Sequence, residues 1–107
     1  MYYPDLETRA KKNLLPGVYA RTFWGDKLML AVVNLEADAV IPEHSHPHEQ
    51  GGIVLEGELE FNIAGEIRML HSGDIYIIPG DVVHSVKVGP AAARVMDIFV
   101  PVREEYK

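Results

Sequence analysis

The chain has 107 residues, five histidines, no cysteine and a formal net charge of −6. A chain of this length forms one domain and buries roughly two-thirds of its unfolded surface without staples; the lack of cysteine excludes disulfides, thiolate metal sites and cysteine nucleophiles. The negative balance argues against a nucleic-acid partner, which needs a basic face, and an anionic substrate needs its own cation in the pocket.

Met1 to Glu7 show no basic start followed by an apolar run. The longest apolar run, Leu28 to Val33, is far too short to span a bilayer. The expected setting is therefore the cytoplasm, with no membrane partner. Residues 1–16 read as an N-terminal arm, in which Asp5 to Lys12 has the makings of one or two helical turns ended before Pro16-Gly17. Residues 17–107 read as a barrel and a C-terminal tail built from short strands. Val18–Phe23 and Lys27–Leu35 flank a turn at Trp24-Gly25-Asp26. Gly52–Glu56 and Glu58–Ile63 flank Gly57, and the second alternates cleanly, with Leu59, Phe61 and Ile63 on one face and Glu58, Glu60 and Asn62 on the other. Ala64-Gly65 turns into Glu66–Leu70, Asp74–Ile78 ends at Pro79-Gly80, and Val82–Val88 and Arg94–Val100 complete the set.

Strands at this spacing with almost no helix predict an all-β antiparallel sandwich or barrel. Leu28–Leu35, and Arg94–Val100 apart from its ends and Asp97, are apolar on both faces. So small a domain needs a second covering layer for such strands, which points to a homodimer formed through the outer sheet face.

Three of the five histidines fall in His44-Ser45-His46-Pro47-His48-Glu49-Gln50. Residues two apart on a strand point to the same face, so His44 and His46 can aim at one point, with His84 arriving from a neighbouring strand. Three neutral imidazoles and one amide or carboxylate oxygen suit Fe, Mn, Ni, Zn or Cu. Such a site usually leaves a position open to water or substrate. His48 keeps the same parity, but Pro47 interrupts the strand, so it reads as a rim or supporting residue. His71, before Ser72-Gly73, reads as an exposed turn residue.

The last strand holds one charge, Asp97, on a face shared with Val95 and Phe99. An aspartate among apolar neighbours is paired, hydrated or used. If that face lines a metal cavity, Asp97 is a candidate general acid or base. Arg103 follows just after Pro101, and its planar fork suits a carboxylate. The competing reading is an ion pair of Asp97 with Arg103 or Arg94 that ties down the tail. Phe99 alone reads as core.

These residues resemble the cupin superfamily. Its first motif runs histidine, any residue, histidine, three or four residues, glutamate, six residues, glycine, and His44, His46, Gln50 and Gly57 fall on those places. Its second runs glycine, five residues, proline, a spacer, glycine, two residues, histidine, and Gly73, Pro79 and His84 fit it. Gln50 replaces the usual glutamate, a change expected to remove one negative charge, weaken metal binding and leave the metal more Lewis-acidic. Asp81 replaces the second glycine, and aspartate is among the residues that accept the left-handed region.

HSHPHEQ, VLEGELEF, Gly73-Asp74, Val82-Val83-His84 and Asp97-Ile98-Phe99 with Arg103-Glu104 are, over Gly17 to Tyr106, similar to the pectin degradation proteins of the KdgF type. That resemblance implies a small dimeric cupin, a jelly-roll double-stranded β-helix. It implies one divalent metal (Zn, Ni, Fe, Mn or Cu) on His44, His46, Gln50 and His84, with Asp97, Phe99 and Arg103 as functional residues. It also implies a sugar-acid substrate and the conversion of 4,5-unsaturated uronates to linear ketodeoxyuronates. A metal-dependent cupin dioxygenase and a non-catalytic sugar- or small-molecule-binding cupin are the alternatives.

Overall fold

The computed structural model describes residues 2–107. The strands are β1 (Lys12–Leu15), β2 (Val18–Trp24), β3 (Met29–Leu35), β4 (Val40–His44), β5 (Glu49–Glu56), β6 (Glu58–Ile63), β7 (Glu66–His71), β8 (Ile75–Ile78), β9 (His84–Val88) and β10 (Ala93–Val100). Helix is confined, among the described residues, to 3-10 turns at Leu6–Thr8 and Glu104–Tyr106. None is long and apolar enough to cross a membrane.

The strands form two antiparallel sheets, one ordered β1-β2-β3-β10-β5-β8 and the other β4-β9-β6-β7. Alternation sets the inward face of each. Leu59 and Phe61 of β6 are buried, as are Val95, Asp97 and Phe99 of β10, while their neighbours in sequence turn outward. The inward residues of both sheets meet in one core containing Val18, Val33, Val54, Leu59, Val86 and Val95, the all-β jelly-roll arrangement expected from the sequence.

The arm differs from expectation. Asp5 accepts from the Glu7 N–H and caps a single 3-10 turn, so Asp5 to Lys12 is not helical throughout. The residues just before Pro16 form an edge strand, β1, because Leu14 and Leu15 pack on the core. β5 begins at Glu49, earlier than Gly52, and so places Gln50 within a ladder. His71 closes β7 and is exposed.

The outer face of the six-stranded sheet carries two apolar rows. One crosses Ile75, Ile53, Met96 and Val32; the next crosses Ile77, Gly51, Ile98, Leu30 and Phe23. Ile75 and Ile77 are about two-thirds exposed, at 70% and 67%.

Candidate metal centre and pocket

β4 and β9 are neighbours, and their register sets His44 opposite His84, with ring centroids 4.2 Å apart. His46 does not share a strand with His44, as the two-residue spacing suggested. β4 ends at His44, and His46 lies in the connection to β5. The second motif holds that connection in place. The Asp81 N–H donates to the His46 carbonyl at 2.8 Å, and Asp81 adopts φ 67°, the left-handed conformation expected of it. Gly80 approaches so closely that a Cβ there would lie 2.5 Å from the Pro47 carbonyl oxygen.

All three rings are oriented alike. Nδ1 of His44 lies 2.8 Å from the Pro42 carbonyl oxygen, Nδ1 of His46 3.0 Å from that of His48, and Nδ1 of His84 2.8 Å from that of Val82. A carbonyl oxygen only accepts, so each Nδ1 carries the hydrogen and each neutral Nε2 presents a lone pair. One ring nitrogen from each of His44, His46 and His84 lies within 4.8 Å of the others. His84 Nε2 is buried and has no hydrogen-bond partner. His46 Nε2 faces Gln50 Oε1, another acceptor, at 3.0 Å. Lone pairs that converge without a hydrogen between them fit a bound cation, and this donor set suits a divalent transition metal. Burial above all, with the nearby Arg103 charge, lowers the pKa of His46; burial also lowers that of His84. Both shifts keep the imidazoles neutral and able to ligate. His48 contributes its carbonyl to this arrangement, through His46.

The centre opens into a cavity of about 70 Å³ whose lining includes His44, Gln50, Tyr76, Asp97, Arg103 and Tyr106. This is several times the space that one water needs, ~10–15 Å³. Asp97 is the one carboxylate and Arg103 the one lysine or arginine in that lining among the described residues.

Asp97 forms no ion pair with Arg94 or Arg103. Arg94 points to the opposite face of β10, because the two positions are three residues apart, an odd step, and Arg103 donates from Nε to Glu105 at 2.6 Å. Asp97 Oδ1 instead accepts from the Tyr76 hydroxyl at 2.5 Å, and the Gln50 amide nearby favours its charged form. Burial outweighs these effects and the Arg103 charge, and pushes the carboxyl up to about 6, within the range useful to a proton carrier near neutrality. Burial, and then the Asp97 charge, raise the Tyr76 pKa and keep the phenol a donor.

Tyr76 was not singled out from the sequence. Its signal lies in register: Gly52 stands opposite Tyr76 on one side and Asp97 on the other. A Cβ on Gly52 would overlap the Tyr76 ring and hydroxyl, so only glycine lets the phenol cross β5 to β10.

Phe99, 2% exposed, packs edge-on to His46 at 5.8 Å between centroids. The Arg103 guanidinium lies 5.3 Å from the Phe99 ring centroid and 3.9 Å from that of Tyr106. The tail is tied to the other end of the sheet. Thr22 Oγ1 donates to the Tyr106 carbonyl at 2.6 Å, and Lys12 Nζ donates to the carbonyls of Glu105 and Lys107 at 2.7 and 2.9 Å.

Comparison with known proteins agrees with this fold. The family pattern of the Cupin domain matches residues 31–99. The chain is 32% identical over 84 residues to the pectin degradation protein KdgF of Dickeya dadantii, a match that spans 78% of this chain and 76% of that protein. Among solved structures it resembles an RmlC-like cupin from Shewanella frigidimarina, with a TM-score of 0.93, 26% identity and coverage of 100% and 96% of the two chains. It also resembles KdgF from Halomonas sp., with a TM-score of 0.88, 27% identity and 94% of each chain covered.

Proposed function

We propose that this chain, which belongs to the cupin domain family, is a metal-dependent enzyme of sugar-acid breakdown that converts 4,5-unsaturated uronates to linear ketodeoxyuronates. One observation carries the reading: His44 and His84 of the three-histidine cluster, with Gln50, line the same cavity as one carboxylate and one guanidinium among the described residues. Similarity to two KdgF proteins, one of them named for pectin degradation, supports the substrate class.

The substrate is a cyclic enol ether with a hemiacetal and a carboxylate. Its conversion is a net isomerisation. The anomeric hydroxyl loses a proton, the ring C–O bond at the anomeric carbon breaks to leave an aldehyde and an enolate, and the enolate carbon gains a proton to leave the ketone. A metal held by His44, His46, Gln50 and His84 supplies Lewis acidity towards the sugar oxygens. Asp97 carries the proton from hydroxyl to carbon. Arg103 binds the substrate carboxylate through its terminal amino groups, since its Nε is engaged by Glu105, and offsets the anionic background. Phe99 forms the wall behind the ligands. The two outer apolar rows support a homodimer whose partner covers the six-stranded sheet.

The test is to incubate metal-loaded protein with an unsaturated uronate and follow loss of the enol-ether ultraviolet absorbance. Acceleration over buffer is expected. No acceleration would overturn the reading; oxygen uptake would then favour a dioxygenase, and thermal stabilisation by the sugar without turnover a binding module.

A further inference from the structure

The place of Gln50 in the first motif is ordinarily a glutamate, either of whose oxygens can ligate. A glutamine has one ligating end and one that cannot ligate, of nearly equal shape. Something must therefore choose which end faces the histidines. Three observations identify what does.

First, Asp97 is buried, and a carboxylate accepts but does not donate. It lies diagonally across from Gln50 on the inward face of the neighbouring strand and lines the same cavity, so it favours the amide NH2 on the β10 side and Oε1 turned the other way. Oε1 is found there, 3.0 Å from His46 Nε2. Second, Asp97 is itself held, because Oδ1 accepts from Tyr76 at 2.5 Å. Third, that bond exists only because Gly52, which lies between the two in the cross-strand row, has no side chain to block the phenol.

We propose that Asp97 is a positioning residue for the metal centre: it fixes the Gln50 amide with its oxygen towards the histidines, and Gly52 and Tyr76 hold Asp97 in place to do so. The inference rests on His44, His46, Gln50 and His84 as the ligand set and is independent of the uronate reaction. It also revises what the glutamine does. The negative charge of the usual glutamate is not lost; it stands one layer back, on Asp97, diagonally across from the ligand. Gln50 and Asp97 form a matched donor and acceptor, and a glutamate at position 50 would face a second buried carboxylate.

The test is zinc affinity, measured on the purified protein by competition with a chromophoric chelator, for the wild type, Asp97→Asn, Gln50→Glu and the double variant. In Asp97→Asn two amides face each other. Gln50 turns its oxygen to the NH2 of the introduced amide and presents its own NH2 to the metal, so affinity falls roughly 10- to 100-fold, the usual cost of losing an outer-shell partner. Gln50→Glu alone sets two carboxylates diagonally across from each other. The double variant restores a donor facing an acceptor, with the roles exchanged, and binds zinc more tightly than the two single effects add up to. Additive effects, or wild-type affinity in Asp97→Asn, overturn the proposal. Tyr76→Phe removes one hydroxyl without emptying the core and is expected to weaken zinc binding by less than Asp97→Asn; unchanged affinity removes Tyr76 from the relay. A wild-type protein that does not bind zinc refutes the ligand set itself, a failure distinct from failure of the relay.

Discussion

Gly80→Ala isolates the link between the two motifs. Gly80 is not in the left-handed region, so alanine meets no backbone penalty, and the whole effect is steric. The new Cβ would lie 2.5 Å from the Pro47 carbonyl oxygen, well inside van der Waals contact, so the two segments must part by several tenths of an ångström or more. His46 is next to Pro47 and is bonded through its carbonyl to Asp81, so it shifts with them. Overpacking of this kind costs about 1–3 kcal/mol. If the connection relaxes in the metal-free protein, that cost is felt only when the metal pulls His46 back. The metal-free variant should then melt close to the wild type, while its metal affinity falls roughly 5- to 150-fold, the same energy expressed as a binding constant. Differential scanning fluorimetry with and without metal, together with chelator competition, reads both quantities. Equal loss of thermal stability in both states would refute the argument, because it would mean that the bracing of His46 is not what Gly80 provides. So would wild-type metal affinity.

Other outcomes are expected under the same reading. At saturating metal, Asp97→Asn should lower turnover roughly 10²–10⁴-fold, the usual loss for an acid–base group; full activity would remove its proton role. Arg103→Lys keeps the charge but loses the fork, so KM for the uronate should rise roughly tenfold with less change in kcat, and an unchanged KM would place the substrate carboxylate elsewhere. Ile98→Glu sets a charge in the middle of an outer apolar row, and light scattering at micromolar concentration should show a dimer become a monomer; a wild-type monomer would count against the dimer. Metal-free stability should depend on pH through Asp97. Its folded pKa of about 6 lies above the ordinary 3.8, so the native state holds the extra proton between those values, and stability falls as pH rises through that window, by about 3 kcal/mol in all. The wild-type minus Asp97→Asn stability difference, from urea titrations at about pH 4 and 8, should change by most of that amount, roughly 2.4 kcal/mol, in that direction; a flat difference would show that burial does not govern this carboxyl.

What the sequence made legible is what lies close together along it. His44, His46 and His84 stand out because histidines are few and the motif spacing is short. β10 reveals its inward face because Val95, Asp97 and Phe99 alternate with outward residues. His44 and His46 converge, but the connection after β4, rather than strand parity, aims His46. Tyr76 stayed hidden because its partner is 21 positions away and its path depends on an absent side chain in a third strand. β1 stayed hidden because Lys12-Asn13-Leu14-Leu15 has no alternation to read, and only its pairing with β2 makes it a strand. The ion pair considered for Asp97 does not form because the sheet sends Arg94 to the far face and the turn at Glu104–Tyr106 brings Glu105 to Arg103 first.

The residues after β10 add Arg103 and Tyr106 to the pocket from outside the sheet ladders. Arg103 and Tyr106 reach the cavity on a short strap fastened at Thr22 and by the single Lys12 ammonium, whereas His44, Gln50 and His84 belong to strands and His46 is braced by Asp81. The strap and the barrel are thus separable units of change. Under the proposed function, a substitution in the strap alters which anion the cavity admits while the histidine cluster and the core packing stay as they are, so relatives with one barrel can diverge in what they accept by rewriting only a few residues.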